Sequence, residues 1–194
     1  MTQIRFWKGR SGKGNAREFD NVALITLGTG LGFAISQNGI VQQNELGGPG
    51  IPIFGIPYSE GILEDYTTKR GIVRTYLDLS GKNSAGGITV SEIGKRADNG
   101  DASSCKTFQM VGRILAESLK HIIDANHIQC LLLGGQISRS FHLHGTITEE
   151  GIGQGFFKLN RQQPEGIYLI RAYTEWNTSK SYPSMNKIAC RGER

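Results

Sequence analysis

A glycine-interrupted pair of apolar segments near the start of the chain constrains the fold more than any other feature. An apolar, β-branched run without helical periodicity predicts a buried strand and consists of Val22, Leu24, Ile25 and Leu27. Residues 28–32 then read Gly-Thr-Gly-Leu-Gly, after which the apolar run resumes. The dipeptide Asn38-Gly39 is typical of a two-residue hairpin turn, so a returning strand is expected at Ile40. The glycines are therefore predicted to connect two strands of a hairpin.

This hairpin context limits what the glycines can bind. A dinucleotide-binding fingerprint requires a helix directly after the glycine loop, and the sequence predicts a strand at that place. Gly28 and Gly30 can still let backbone N–H groups approach an anion, and Thr29 adds a hydroxyl donor. A tight turn that binds no ligand is the alternative. The loop alone leaves both interpretations open.

The middle of the chain predicts a long helix followed by a buried strand. Apolar residues keep helical spacing along one face over residues 101–126. Residues 128–133 are apolar except for Gln129, which predicts a buried strand that ends at Gly134 and Gly135. Paired glycines at the end of a strand leave room for a purine and a ribose. A helix that begins near Ser138 would offer free N–H groups to the same ligand.

Shorter elements are predicted around these strands. The glycine and proline density of residues 45–58 predicts a loop, and the helix that follows it should continue to Gly81. A capping box that starts at Thr89 predicts another short helix. Apolar residues at 156, 157 and 159 favour an amphipathic helix, and residues 166–172 favour a last strand. Strands and helices thus alternate, as in an α/β protein.

Charge, cysteine content and hydropathy argue against a nucleic-acid-binding, a secreted or a membrane-spanning protein. The net charge of +5 lies partly at the two ends, and no helix-turn-helix or aromatic platform accompanies it, so nucleic-acid binding through this chain is not expected. Cys105, Cys130 and Cys190 are odd in number and far apart, which favours reduced thiols in a cytoplasmic protein. No signal peptide is recognisable, and no apolar run approaches the roughly 20 residues that cross a bilayer. No membrane partner is therefore expected.

Several segments in order resemble the ROK family of repressors and sugar kinases, which belongs to the actin and hexokinase superfamily. Residues 25–32 are similar to its second phosphate motif, and Glu45-Leu46-Gly47 is similar to its sugar-contact motif. Gly134-Gly135, after the long helix, resembles its adenosine motif. The resemblance covers roughly residues 15–172 and only the C-terminal half of a full-length member. It implies an α/β fold: a ribonuclease H-like lobe with a mixed β-sheet and flanking helices.

The resemblance also implies ligands and the residues that hold them. The implied nucleotide-binding residues are Gly28, Thr29, Gly30, Gly134 and Gly135. Glu45 and Glu64 match glutamates that bind sugar hydroxyls, although for Glu64 an electrostatic role at a helix start is an equal alternative. The family's usual histidine is replaced by Gly48, and its cysteine-rich zinc knuckle is missing, so no zinc is expected. The implied cofactor is ATP with Mg²⁺.

These observations predict three regions and a function for the middle one. Residues 1–20 are expected to be a flexible lead-in, residues 21–175 the ROK-type lobe, and residues 176–194 a disordered tail. The family's catalytic Asp and first phosphate loop have no match, so no catalytic residue is assigned. The expected function is a truncated, inactive form of an ATP-dependent kinase of a hexose or N-acetylhexosamine. The alternatives are a sugar-responsive transcriptional regulator of the ROK type, a non-catalytic remnant, or an interaction domain without a ligand. The expected partners are a sugar, a nucleotide and a second copy of the chain.

Overall fold

The computed structural model describes residues 19–82 and 86–138, together with the backbone of residues 157–162 and 168–172. Its strands are β1 Asn21–Leu27, β2 Leu31–Gln37, β3 Ile40–Val41, β4 Pro57–Tyr58, β5 Gly61–Ile62, β6 Cys130–Gly134, β7 Phe157–Gln162 and β8 Tyr168–Ala172. Its helices are α1 Leu63–Thr67, α2 Lys69–Ser80, α3 Val90–Asp98 and α4 Ala102–Ala125.

Six of these strands form one mixed sheet in the order β3-β2-β1-β6-β8-β7. Strand β1 pairs antiparallel with β2 and parallel with β6, while β8 pairs antiparallel with both β6 and β7. The parallel pairing of β1 with β6 is reached through the helices that lie between them in sequence, as parallel strands require a crossover connection. The expected α/β lobe with a mixed sheet is confirmed.

The first hairpin forms where the sequence predicts it. Asn38 and Gly39 both have positive φ angles, of 49° and 77°, which match a type I′ turn. Such a turn follows the right-handed twist of its flanking strands, so it sets the register in which Asn21 faces Gln37. The glycines at 28 and 30 consequently lie at the opposite end of the hairpin, between β1 and β2.

The core lies between this sheet and the helices. One face of β1 contributes Ala23, Ile25 and Leu27 to a large cluster with helical residues such as Phe108 and Leu115, all of them fully buried. The other face of β1 packs with β6 in a second, smaller cluster, which contains Val22, Leu24 and Cys130. Burial on both faces explains why β1 is apolar from Val22 to Ile25.

Helix boundaries follow their capping residues. At the start of α3, the Thr89 hydroxyl accepts a hydrogen bond from the Glu92 N–H at 3.2 Å, while the Glu92 carboxylate accepts one from the Thr89 N–H at 2.7 Å. At the start of α4, the Asp101 carboxylate accepts a hydrogen bond from the Ser104 N–H at 2.8 Å. A further bond from the Ser104 hydroxyl is the main cause that lowers the pKa of Asp101. Both predicted helix starts are confirmed.

Two local predictions are wrong. The helix predicted to run to Gly81 is interrupted at Thr68, whose backbone is extended, so α1 and α2 are separate helices that meet at a corner. The helix predicted around residues 156–159 is instead strand β7, Phe157–Gln162, paired with β8. From Phe157 to Asn160 apolar and polar residues alternate, and this period of two is that of a strand. The last predicted strand is confirmed as β8.

The expected lead-in and tail fall mostly on residues 1–18 and 173–194, which lie outside the described residues.

Candidate functional site

Two glycine segments meet at one edge of the sheet. The first is the phosphate loop, which we define as residues 28–30, and it follows β1 directly. The second is the glycine turn, residues 134–135, at the end of β6. Thr26 pairs with Gly134 in the parallel register of these strands, and the Leu27 carbonyl accepts a hydrogen bond from the Ile137 N–H at 3.3 Å. Parallel strands end at the same sheet edge, where ligands of α/β proteins bind, so the two segments can face one ligand.

The phosphate loop is open to solvent and has room around its first glycine. The Gly28 N–H donates to the Gly30 carbonyl at 3.2 Å, which closes a tight turn, and Thr29 is exposed. A Cβ built on Gly28 would meet no atom within 4 Å. The described residues therefore contain no steric reason for a glycine at position 28. Close approach of an anion to the backbone is a reason that fits this geometry.

The glycine turn is held in place by the neighbouring strand. Gly135 has a φ of +96°, and a Cβ there would lie 2.3 Å from the Leu27 carbonyl oxygen. The buried hydroxyl of Ser138 donates to the Gly135 carbonyl at 2.7 Å and fixes the following turn. Gly135 is thus required by the packing of β6 against β1. Helical geometry begins at Ser138, as expected, and residues 139–156 lie outside the described residues.

Glu64 lies at the phosphate loop. Its carboxylate is half-buried and accepts a hydrogen bond from the Leu31 N–H at 2.8 Å, directly after the loop. On the other side of the loop, the Gly28 carbonyl accepts a hydrogen bond from the Lys69 N–H at 3.1 Å. Both contacts come from the corner between α1 and α2. The sequence gives no sign of either contact, because the partners are more than 30 residues apart.

Glu45 lies on a separate, exposed loop that is organised by Asn44. The Asn44 side-chain oxygen accepts hydrogen bonds from the N–H groups of Leu46 at 3.1 Å and Gly48 at 2.8 Å. A Cβ on Gly48 would lie 2.9 Å from the Asn44 amide nitrogen, so a histidine at this position would require Asn44 to move. Glu45 and Glu64 share no hydrogen-bond partner within residues 19–82. Asn44 is a residue that the sequence analysis missed, although asparagine often closes loops in this way.

No group of three or more His, Cys, Asp or Glu residues that could hold a metal ion is present in the part of the chain that the structure describes. In residues 28–31, the N–H of Gly28 donates to the Gly30 carbonyl and the N–H of Leu31 donates to the Glu64 carboxylate.

Comparison with known proteins gives a family match. The profile of the ROK family matches residues 55–167, more than half of the chain. A ROK family glucokinase from Streptomyces griseus, solved with glucose and AMPPNP, is 22% identical and superposes with a TM-score of 0.61, over 68% of this chain and 49% of that one. A ROK family transcriptional regulator, a homolog of the E. coli MLC protein, is 22% identical with a TM-score of 0.67, over 76% of this chain and 41% of that one. The chain therefore spans about half the length or less of these structures, and the likeness to them shows the fold.

A further match is to the transient receptor potential cation channel subfamily V member 1 of Canis lupus familiaris. It is 25% identical over an alignment of 208 positions, which covers 95% of this chain and 22% of the channel. This identity over about a fifth of the channel does not show a common family. Among the helices of the described residues, none combines the length and the apolar character needed to cross a membrane.

Proposed function

Because the chain belongs to the ROK family, we propose that it forms the C-terminal nucleotide- and sugar-binding lobe of a cytoplasmic, ATP-dependent carbohydrate kinase. One observation carries the proposal: the phosphate loop and the glycine turn lie side by side where the parallel strands β1 and β6 end. According to this proposal, Gly28, Thr29 and Gly30 bind phosphate, while Gly134 and Gly135 flank the adenosine.

The sugar side of the proposal rests on Glu45 and Glu64. A carboxylate can accept hydrogen bonds from adjacent hydroxyl groups of a hexose or N-acetylhexosamine. Glu64 is half-buried beside the phosphate loop, and Glu45 is exposed on the Asn44 loop. The related glucokinase was solved with glucose, which makes glucose the first sugar to test. Mg²⁺ would accompany the phosphates of ATP, and a homodimer would follow the family pattern.

The first experiment is an ATP titration followed by the backbone amide signals of the chain in NMR spectra. We expect shifts at residues 28–31 and 134–137 with a dissociation constant in roughly the millimolar range, because one lobe buries only part of the ligand. Thr29→Ala removes one hydroxyl donor and should weaken binding about fivefold, the equivalent of ~1 kcal/mol. Gly55→Ala is the control, since a Cβ at this exposed turn meets no atom within 4 Å. Shifts confined to other regions would contradict the assignment.

Turnover is expected to be undetectable for the isolated chain. Phosphoryl transfer to a sugar needs a base that accepts the hydroxyl proton, and none of the 194 residues matches the family's Asn-Asp pair. An ADP-release assay with hexoses and N-acetylhexosamines measures this. Steady turnover that persists after removal of host kinases would show that another group serves as the base.

A sugar-responsive regulator is the second candidate. The observation that favours it is Gly48, which stands where sugar kinases of the family have a histidine and which packs against Asn44. A regulator would bind sugar without nucleotide. Glucose-dependent shifts at residues 44–48 and 64, together with no ATP-dependent shifts at residues 28–31, would favour this candidate over the kinase.

A further inference from the structure

The Glu64 carboxylate touches the phosphate loop at its last residue and just beyond it. Its Oε2 atom accepts the Leu31 N–H at 2.8 Å, and a Cβ built on Gly30 would lie 3.2 Å from the same oxygen. A charged acceptor strengthens a hydrogen bond to a backbone N–H relative to a neutral one. The position of Leu31, and with it the end of the loop, is therefore tied to the side chain of Glu64.

Glu64 is itself held by the corner between α1 and α2. The Thr68 hydroxyl donates to the Glu64 carbonyl at 2.9 Å, and the next residue, Lys69, donates its N–H to Gly28. Gly71 brings the two helices into close contact, since a Cβ there would lie 2.4 Å from the Tyr66 carbonyl carbon. The corner thus contacts the phosphate loop at both of its ends, and it leaves little freedom for Glu64 to move alone.

The second carboxylate oxygen of Glu64 is available for a ligand. Within the described residues, Oε2 has the Leu31 N–H as its partner, and the structure places no donor on Oε1. An ionised carboxylate can accept several hydrogen bonds through its two oxygens. A sugar hydroxyl that donates to Oε1 would therefore restrain the same carboxylate that positions the phosphate loop.

We infer that Glu64 is a positioning residue that couples the sugar site to the phosphate loop. The inference rests on the proposed function and adds to it a reciprocal linkage between the two ligands. A sugar bound at Oε1 fixes the carboxylate, which fixes the Leu31 N–H and the loop that receives the phosphate. By linkage, a sugar that tightens phosphate binding is itself bound more tightly when phosphate is present.

Hydrogen exchange of the Leu31 amide tests the contact itself. Glu64→Ala removes the acceptor and should speed exchange of this amide about tenfold, while Glu64→Gln keeps an acceptor oxygen and should have a smaller effect. Gly30→Ala pushes against Oε2 and should also speed exchange, whereas Gly28→Ala has open space around its Cβ and should not. Unchanged exchange in both Glu64→Ala and Gly30→Ala would overturn the inference.

The coupling is tested by ATP titrations with and without saturating glucose. We expect glucose to tighten ATP binding about fivefold in the unmodified chain and to have no effect in Glu64→Ala. In the control Gly55→Ala, where a Cβ meets no atom within 4 Å, saturating glucose should still tighten ATP binding. Binding of both ligands without mutual effect would overturn the coupling alone. Absence of any ATP binding would overturn the proposed function and the coupling with it, and the Leu31 exchange would still report on the contact.

Discussion

The phosphate loop and the glycine turn lie at the same sheet edge, yet their glycines respond differently to an added side chain. At Gly28 a Cβ would meet nothing within 4 Å, and the residue is not in the left-handed region. At Gly135 a Cβ would lie 2.3 Å from the Leu27 carbonyl oxygen, and φ is +96°. The fold explains the second glycine and does not explain the first. Substitutions that test ligand binding without disturbing the fold therefore belong at Gly28, not at Gly135.

The comparison of the two glycine segments predicts the largest loss of stability at Gly135. Gly135→Ala should lower the free energy of unfolding by about 3 kcal/mol or more, since backbone strain at positive φ adds to a clash with the backbone of β1. Urea unfolding measures the change, with Gly55→Ala as the control. Stability equal to that of the unmodified chain would show that the strands separate easily at this edge.

The predicted clash at Gly135 complicates a test of the adenosine site by substitution at this position. A side chain introduced by Gly135→Val would occupy room that the paired glycines leave for an adenosine, but any side chain at this position meets the Leu27 backbone first. A loss of ATP binding in such a variant would therefore report on the fold as well as on the ligand. Gly28 and Thr29 are better positions for a binding test.

A smaller loss of stability is predicted for Gly71→Ala. At Gly71 an added side chain would be crowded but the backbone is not strained, whereas at Gly135 both costs apply. Gly71 lies in α2 without a positive φ, and a Cβ there would lie 2.4 Å from the Tyr66 carbonyl carbon. Alanine is favoured over glycine in a helix by about 1 kcal/mol, yet overpacking costs roughly 1–3 kcal/mol. We expect Gly71→Ala to be less destabilising than Gly135→Ala in the same urea experiment. A net gain in stability would mean that the corner between α1 and α2 can open without cost.

The smallest change in stability is predicted for Gly28→Ala, and it is expected to be a gain and not a loss. Gly28→Ala should leave stability unchanged or raise it by up to about 1 kcal/mol, because alanine lowers the entropy of the unfolded chain where the native backbone accepts it. ATP binding in the same variant should weaken, because the new methyl group lies on the exposed face of the loop. Marked destabilisation by Gly28→Ala would remove the contrast between the two glycine segments.

The sequence determined the local features of this protein. The hairpin turn at Asn38-Gly39, the capping box at Thr89 and the helix start at Asp101 are confirmed where they were predicted. Each depends on residues at most four positions apart, so a short stretch of sequence contains the whole cause. The apolar run of β1 and the family resemblance likewise follow from residues read in order.

Only the tertiary structure decided how the candidate site is arranged. The contact of Glu64 with Leu31 joins residues 33 positions apart, and the clash that requires glycine at 135 comes from Leu27 on another strand. Neither contact has a local signal, because each depends on how the helices and β6 pack against β1. The break at Thr68 was likewise not visible in the sequence, and the corner that it forms places Glu64 and Lys69 at the two ends of the phosphate loop.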